Sequence, residues 1–370
     1  MMNKQELFKQ KIKTRLPLSF QAYMEMALFD PEYGYYTTHE QILGRDGDFV
    51  TAPELSYLFA SSLATQMQAI FADIADAGIL ELGAGSGRLC VDILKALEQA
   101  GKLPEVYAIL ELSPRLQASQ QALIKAEVPH LAAKVVWFSA WPTAFQGVVL
   151  ANEVLDAMPV TRFCWTGEQV LESQIIWDEA RDALQEQFVP SDNPVLIDKV
   201  NALHLQAAPY YSEINTWAPS WLAGLWHALE RGVVLLLDYG YPQQTYYHPD
   251  RYMGTLMCHQ QQRAHHDFLH LPGAIDITAH VDFTQIADAA FELGFQVLGY
   301  TNQASFLLAN GILEHLSAIQ NEVLYQAQAQ RVKILLQSQE MGELFKVMAL
   351  GKNYDRSLQG FSLHDRRVSL

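Results

Sequence analysis

The fold of this chain is decided by the stretch ILELGAGSGRL, residues 79–89. An apolar strand runs directly into glycines at alternate positions, and a helical pattern from about Leu89 to Ala100 follows. Glycine adopts positive φ readily and lets a ligand lie against the backbone, and the first N–H groups of the next helix can face a polar ligand. The stretch therefore predicts the strand–turn–helix unit of a nucleotide-type cofactor site.

The spacing of the glycines indicates the class of cofactor. They follow the pattern G-x-G-x-G: Gly83, Gly85 and Gly87. A dinucleotide fingerprint needs G-x-G-x-x-G, and its third glycine would stand where this chain has Arg88. Glu81 and Glu111 fit S-adenosylmethionine better, because Glu111 ends the next predicted strand and is expected to reach the ribose hydroxyls. The sequence thus predicts a methyltransferase core, and the alternative is a glycine loop that only packs a helix on a strand.

Length and charge limit the classes of function. The chain has 370 residues and is 50% hydrophobic, which is enough for one large α/β domain with elaborations or for two domains. It has 41 acidic and 25 basic residues and a formal charge of −16, which repels nucleic acid phosphates unless a basic patch intervenes. No such patch is apparent in the sequence, so we expect no nucleic acid partner and favour a cationic protein substrate. The oligomeric state stays open, and a homodimer is compatible with the sequence.

Location and metal content are also constrained. No window has the 18 uninterrupted apolar residues of a membrane span, and the N-terminus lacks the apolar stretch of a signal peptide. We therefore expect a cytoplasmic protein without membrane insertion. Three cysteines lie far apart without metal-ligand spacing: Cys90, Cys164 and Cys258. We interpret them as reduced thiols and expect no metal.

Strands that alternate with helical stretches predict a Rossmann-like α/β fold with a mostly parallel, seven-stranded sheet. The strands are expected near residues 78–82, 105–111, 134–138, 147–151, 233–237, 295–300 and 344–350. Ser113 and Asp282 are expected to cap the helices that follow them, and Gly294 to end the second of these helices. Insertions are expected after strands four, five and six. The first is antiparallel, at about 160–192, and the second is rich in His and Tyr, at about 239–282.

An extension over residues 1–75 precedes the core domain, which spans residues 76–370. We expect the extension to be helical and to cover the cofactor cleft. Within it, Thr51 and Glu54 have the spacing of a capping box, which predicts a helix from there to about residue 72. On composition alone, a prefix that only packs on the sheet is an equal alternative.

Polar residues at the ends of the strands are the candidates for chemistry, because an open parallel sheet binds its ligands beyond the carboxyl ends of its strands. The fourth strand ends in Asn152, Glu153 and Asp156, two acids that flank an apolar pair. A guanidinium acceptor has no free lone pair and is positively charged, yet it must approach a cationic sulfonium. Carboxylates would offset the repulsion, hold the guanidinium and accept the released proton. Glu153 and Asp156 are therefore candidate catalytic residues, and cofactor or structural roles are the alternative.

The segment 239–282 is unusual because it holds six of the twelve histidines and five tyrosines. Its length and its Pro and Gly content predict an irregular excursion over the active face. It has no zinc-binding spacing such as His-Glu-x-x-His. The candidates to line a substrate site are Tyr239, His265, His266 and His280. For most of them, a place in a solvated loop is the alternative.

Six segments give the chain a close resemblance to the MidA family of class I methyltransferases, over nearly its whole length. They are DPEYGYY at 30–36, GDFVTAPE at 47–54, ELGAGSG at 81–87, ANEVLDAMP at 151–159, LDYGY at 237–241 and DITAHVDF at 276–283. Many methyltransferases share the glycine motif, whereas the Gly-Asp-Phe, Asn-Glu and Thr-Ala-His-Val-Asp segments together are far more specific.

The resemblance implies methylation of protein arginine with S-adenosyl-L-methionine as cofactor. In the mitochondrial members, which are complex I assembly factors, it implies symmetric dimethylarginine on a subunit of that respiratory complex. It also implies that the Gly-Asp-Phe element lies at the active cleft. The candidate cofactor-binding residues are then Asp48, Phe49, Glu81, Gly83, Gly85, Gly87, Glu111, Leu112 and Asn152. The candidate catalytic residues are Glu153, Asp156 and His280. Two other functions stay open: a non-catalytic assembly chaperone that retains the cofactor fold, and a small-molecule methyltransferase.

Overall fold

The computed structural model describes residues 3–38, 51–260 and 263–370. Two candidate cofactor-binding residues, Asp48 and Phe49, lie outside the described residues.

A mixed central sheet organises the described part of the chain. Its main strands, labelled β1 to β7 in chain order, are Gly78–Leu82, Tyr107–Leu110, Val135–Phe138, Phe145–Asn152, Leu229–Tyr241, Gln296–Asn302 and Phe345–Lys352. They lie side by side in the order β3-β2-β1-β4-β5-β7-β6. In this spatial order, strands β3, β2, β1, β4 and β5 are parallel to one another, whereas β7 lies antiparallel between β5 and β6. The carboxyl ends of β1, β2, β4 and β5 therefore meet at one edge.

The predicted α/β architecture is confirmed, with two differences in the sheet. Strand β7 returns between β5 and β6 after a helical segment, so the sheet is mixed and not uniformly parallel. The two-residue strand Val281–Asp282 also pairs in parallel with Gly240 and Tyr241 at the end of β5. The predicted seven strands describe the main path, to which this eighth strand is added among the described residues.

Helices cover both faces of the sheet. The α-helices are Lys4–Lys13, Phe20–Phe29, Tyr35–Thr38, Ala52–Leu55, Tyr57–Phe71, Arg88–Gln99, Pro114–Glu127, Pro194–Ala202, Ala218–Ala228, Gln243–Tyr246, Phe283–Leu293, Gln303–Ala309, Ile312–Ser317, Glu322–Leu336 and Met341–Leu344. Short 3-10 helices are Pro129–Lys134, Pro249–Arg251, Gln359–Phe361 and Arg367–Ser369. The predicted caps are confirmed: Ser113 accepts from the N–H of Leu116, Asp282 accepts from the N–H groups of Thr284 and Gln285, and Gly294 ends its helix with φ of 103°.

The core lies on both faces of β5, which is apolar over residues 233–237 as a central strand should be. Val233, Leu235 and Leu237 pack with helices Tyr57–Phe71 and Arg88–Gln99 on one face. The alternate residues Val234 and Leu236 pack on the other face, against helices Ala218–Ala228 and Phe283–Leu293. This two-sided burial fixes the sheet edge that carries the candidate site.

Two smaller sheets pack beside the central one. The antiparallel sheet consists of Leu18–Ser19, Thr161–Trp165, Val170–Asp178, Ala183–Pro190 and Tyr210–Ile214, and thereby includes the predicted antiparallel insertion. A three-stranded sheet consists of Met257–Gln260, Arg263–His265 and Asp276–Thr278. The N-terminal helices contribute Phe8 and Phe20 to an apolar cluster with Cys258 and Ile277 of this sheet. Helix Tyr57–Phe71 instead belongs to the core of the central sheet. A division of the chain at residue 75 stays a prediction.

The predicted capping box at Thr51 is wrong. The Thr51 side chain makes no capping hydrogen bond, and the helix that begins at Ala52 stops at Leu55. The next residue, Ser56, is extended and accepts a hydrogen bond from Leu58 N–H at the start of helix Tyr57–Phe71. The carboxylate of Glu54 accepts a hydrogen bond from Ser86 of the glycine loop. A contact distant in sequence has therefore displaced the local cap.

None of the helices in the described part of the chain is long and apolar enough to span a bilayer. All three cysteines are buried and free of disulfides.

The glycine ladder across the sheet gives a test of the fold. Gly78, Gly147 and Gly232 face one another on β1, β4 and β5, and a Cβ on Gly147 would collide with backbone atoms of Gly78. Its φ of 129° is also strained for any L side chain. We expect Gly147→Ala to lower the free energy of unfolding by about 4 kcal/mol or more, measured by denaturant unfolding.

Gly101→Ala is the matched control. Gly101 has φ of 65°, and a Cβ added there would have no other atom within 4 Å. Only the cost of a left-handed residue is then expected, about 1–2 kcal/mol. Equal losses in the two variants would contradict the proposed role of the glycine ladder.

Candidate functional site

The glycine loop lies between β1 and helix Arg88–Gln99, at the carboxyl edge of the sheet. Gly83, Gly85 and Gly87 have φ of 64°, 52° and 83°. All three thus adopt the left-handed conformation that glycine allows at little cost. Arg88 starts the helix, and its guanidinium forms ion pairs with Asp92 and Glu127. The loop is therefore a tight backbone turn that carries no side chain at three of its positions.

Glu81 lies beneath this loop and is 3% exposed. Its carboxylate accepts a hydrogen bond of 2.8 Å from the hydroxyl of Tyr107. Burial raises the pKa of Glu81 to about 7, although the Tyr107 hydrogen bond opposes the shift. Glu81 therefore anchors β1 to β2 from the core side of the loop.

Glu111 directly follows β2 and is fixed by two hydrogen bonds. Its Oε1 accepts from the N–H of Ser113 at 2.9 Å, and its Oε2 accepts from the side-chain amide of Gln120 at 3.2 Å. The neighbouring side chain of Leu112 is 75% exposed. An anchored acid beside an exposed apolar side chain suits a ligand with sugar hydroxyls and a flat apolar ring.

Gln120 was not found by reasoning from the sequence. It is fully buried in helix Pro114–Glu127, whose only other buried residue is Ile124. Its Nε2 also donates to the carbonyl of Gly85 at 3.0 Å, and its Oε1 accepts from the indole of Trp137 at 2.9 Å. Gln120 thus holds Glu111 and the glycine loop at a fixed separation. The helix carries three glutamines, Gln117, Gln120 and Gln121, and the sequence alone does not show which of them is buried.

The turn after β4 carries the predicted acids. Glu153 has φ of 53°, and its N–H donates to the carbonyl of Leu237 at 2.9 Å. The next three N–H groups, of Val154, Leu155 and Asp156, all donate to Oδ2 of Asp238 at 2.9–3.2 Å. Burial raises the pKa of Asp238 well above its ordinary value, and the charges of Asp156 and Glu153 raise it further. Asp238 therefore shapes the turn and is not free to bind a substrate.

Glu153 and Asp156 are brought together by this turn. Burial raises the pKa of Glu153 to about 8, with added repulsion from Asp156, while hydrogen bonds from Asn152 and from the backbone of Ala52 lower it. Burial raises the pKa of Asp156 to about 6. The hydroxyl of Tyr239 donates to Oδ2 of Asp156 at 2.5 Å, and Oδ1 has no hydrogen-bond partner within the described part of the chain. One oxygen of this buried acid thus lacks a hydrogen-bond partner within that part of the chain.

A third carboxylate, Asp276, faces the pair from the three-stranded sheet. Asp276 is 1% exposed, accepts a hydrogen bond of 2.9 Å from the hydroxyl of Tyr36, and adds to the rise in the pKa of Glu153. Neither Asp276 nor Tyr36 was among the predicted site residues, although both lie in segments that carry the family resemblance. Their sequence separation of 240 positions hid their proximity.

His280 contacts the ring of Tyr239, whose hydroxyl is bonded to Asp156. Its ring stands edge-on to Tyr239 and Tyr241, with centroids 5.2 and 5.3 Å away. Burial, helped by the charges of Arg251 and Lys346, lowers the pKa of His280 to about 4. The imidazole is therefore neutral near pH 7. Of the other candidates, His266 bonds to the carbonyl of Leu256 and His265 lies on a strand of the three-stranded sheet.

The cluster of acids is suited to binding a cation. Among the described residues, the main interactions that shift the pKa values of Glu153, Asp156 and Asp238 come from burial, other acids and hydrogen bonds, and not from Lys or Arg. No group of three or more His, Cys, Asp or Glu in that part of the chain is arranged to hold a metal ion. The geometry suits an organic cation that donates several hydrogen bonds.

Comparison with known proteins gives concordant results. Residues 58–301 match the model of a family described as "Putative S-adenosyl-L-methionine-dependent methyltransferase". A crystal structure of a Burkholderia thailandensis protein bound to S-adenosyl-homocysteine is 37% identical, with a TM-score of 0.95 over 99% of this chain and 97% of the other. The "Protein arginine methyltransferase NDUFAF7, mitochondrial" of Mus musculus is 27% identical over 92% of this chain and 82% of its own length. The Homo sapiens protein of the same name is 28% identical over 92% and 81%.

The raised pKa of Glu153 predicts a pH-dependent stability difference. The folded protein retains a proton on this group between its ordinary pKa of 4.5 and about 8, so the group's contribution to the free energy of unfolding falls as pH rises through that window. We expect Glu153→Gln to gain stability over the unsubstituted protein as pH rises, by about 1–3 kcal/mol at pH 8. Denaturant unfolding at pH 5 and pH 8 measures the difference.

Glu168→Gln is the control for this comparison. Glu168 lies exposed in the turn between strands Thr161–Trp165 and Val170–Asp178. Its variant should track the unsubstituted protein at both pH values. A Glu153→Gln difference that is the same at pH 5 and pH 8 would contradict the raised pKa.

Proposed function

The chain belongs to the MidA family of S-adenosyl-L-methionine-dependent methyltransferases, and we propose that it methylates an arginine side chain of a protein. The observation that carries the proposal is the acid pair of half-buried Glu153 and buried Asp156, with Asp276 opposite, beside the glycine loop. The name of the mouse relative, a protein arginine methyltransferase, supports it.

The residues around the glycine loop fit the cofactor. The backbone of Gly83 to Gly87 leaves room for the methionine end, because three of its positions have no side chain. Glu111, fixed by Ser113 and Gln120, presents a carboxylate for the ribose hydroxyls, and the exposed Leu112 presents an apolar surface for the adenine. Asn152 ends β4 next to Glu153, to which its amide donates at 3.1 Å. When bound, the cofactor supplies a methyl group on a positively charged sulfonium.

The acids solve an electrostatic problem. Two unit charges about 4 Å apart repel by roughly 4 kcal/mol at an effective dielectric of 20, so a guanidinium would be repelled from the sulfonium without nearby negative charge. Glu153 and Asp156 supply that charge and can hold the guanidinium by hydrogen bonds. A bound guanidinium in turn lowers the pKa of both acids, which favours their ionised forms.

The same acids receive the proton. A guanidinium nitrogen that gains a methyl group must lose a proton, and a carboxylate within hydrogen-bonding distance can accept it. We assign this step to Oδ1 of Asp156, which has no hydrogen-bond partner among the described residues, while Oδ2 is held by the hydroxyl of Tyr239. His280, which is neutral and lies behind Tyr239, is proposed to keep that ring in place.

The direct test uses isotopically labelled cofactor. The protein is incubated with labelled S-adenosyl-L-methionine and a lysate of its own cells from which its gene has been deleted, and the labelled amino acid is identified by mass spectrometry. We expect label on arginine of a protein band, and no label with Gly85→Val, in which a side chain enters the loop. Label on a small molecule would support the small-molecule alternative. Capture of a partner without label would support the chaperone.

Substitution of the acids should separate chemistry from cofactor binding. Glu153→Gln keeps the size of the side chain and removes its charge. We therefore expect the affinity for S-adenosyl-homocysteine to change less than about threefold and methyl transfer to fall about a hundredfold. Asp156→Asn should act similarly, because both acids share the guanidinium. Calorimetry and the label assay measure the two effects, and unchanged transfer in both variants would remove these acids from the mechanism.

A further inference from the structure

Glu54 connects the N-terminal segment to the cofactor loop. It lies in the four-residue helix Ala52–Leu55, and its carboxylate accepts a hydrogen bond from the hydroxyl of Ser86. Ser86 stands between Gly85 and Gly87, and its oxygen also accepts from the N–H of Arg88 at 3.1 Å. The hydrogen bonds of one serine therefore join Glu54 to the first turn of the helix that follows the loop.

The same short helix reaches the acceptor acids. The backbone N–H of Ala52 lies close enough to the carboxylate of Glu153 to lower the pKa of that acid. Glu54, which contacts the glycine loop, and Ala52, which contacts Glu153, are thus two positions apart in the chain.

The short helix is held firmly on its other side. Ala52 is 1% exposed, and Pro53 is buried as well. Ser56, which ends the segment, is 2% exposed and donates to the side chain of Gln328 at 2.7 Å. The buried residues Ala52, Pro53 and Ser56 therefore hold the short helix in place, and the helix in turn opposes a displacement of the glycine loop.

We propose that Glu54 is a positioning residue, which sets the glycine loop and Glu153 in register so that cofactor and acceptor meet correctly. The expected effect of Glu54 on cofactor binding does not depend on the identity of the acceptor. Its expected effect on methyl transfer, through Glu153, rests on the proposed function. Loss of the Ser86 contact should therefore weaken cofactor binding and also slow transfer when cofactor is saturating.

The test combines single and double variants with the full-length chain. Glu54→Ala and Ser86→Ala should each raise the Kd of S-adenosyl-homocysteine about tenfold by calorimetry, on the scale of one hydrogen bond to a charged group. The double variant should be no weaker than Ser86→Ala, because the contact of Glu54 is already lost in that single variant. Glu54→Gln retains an acceptor for the Ser86 hydroxyl and should stay within about threefold of the unsubstituted protein. Glu168→Ala, in an exposed turn, serves as the control.

The transfer rate distinguishes positioning from a structural role. At saturating S-adenosyl-L-methionine, label transfer to lysate protein should still be several-fold slower in Glu54→Ala and restored in Glu54→Gln, while the melting temperatures stay close together. Unchanged affinity in both alanine variants, or losses that simply add in the double variant, would overturn the proposal. Label on a residue other than arginine would contradict the proposed acceptor but not the role of Glu54, because the calorimetric comparison of the single and double variants measures cofactor binding without an acceptor.

Discussion

The site depends on one carboxylate that never needs to touch a ligand. Oδ2 of Asp238 accepts hydrogen bonds from three successive N–H groups, of Val154, Leu155 and Asp156, and Oδ1 accepts from the N–H of Tyr239. These bonds tie the end of β4 to the end of β5 and stabilise a turn in which Glu153 has positive φ. Without them, four backbone donors would lack partners, two of them buried, and each buried donor left unpaired costs about 1–3 kcal/mol. This turn fixes the directions of the Glu153 and Asp156 side chains.

This arrangement concentrates carboxyl groups at a cost in stability. Burial raises the pKa values of Glu153, Asp156 and Asp238, and repulsion from neighbouring acids adds to the rise for Glu153 and Asp238, so each acid resists ionisation in the folded protein. The apolar strands β4 and β5, packed on both faces, provide the rigidity that holds the acids in place. A cation bound among them relieves the repulsion. In the proposed function, relief of this repulsion is the source of affinity for a guanidinium.

The sequence predicted what depends on local pattern. The glycine loop, the caps at Ser113 and Asp282 and the approximate positions of the main strands all follow from short-range rules, and each is found in the structure. Contacts distant in sequence were missed: Gln120 with Gly85, and Tyr36 with Asp276. Thr51 and Glu54 had the spacing of a cap, yet Glu54 bonds to Ser86 of the glycine loop. The assigned roles of the site residues stay predictions, because no ligand contact tests them.

The most direct test of the proposed chemistry is whether the acids bind a guanidinium. The protein, labelled with ¹³C at its glutamate and aspartate carboxyl groups and saturated with S-adenosyl-homocysteine, is titrated with ethylguanidinium, and with ethylurea as the uncharged control. We expect saturable shifts of the Glu153 and Asp156 resonances, assigned with Glu153→Gln and Asp156→Asn, together with a lower pKa for Glu153. Ethylurea should produce neither effect. Equal responses to the two compounds, or an unchanged pKa of Glu153 with ethylguanidinium present, would contradict a guanidinium site at these acids.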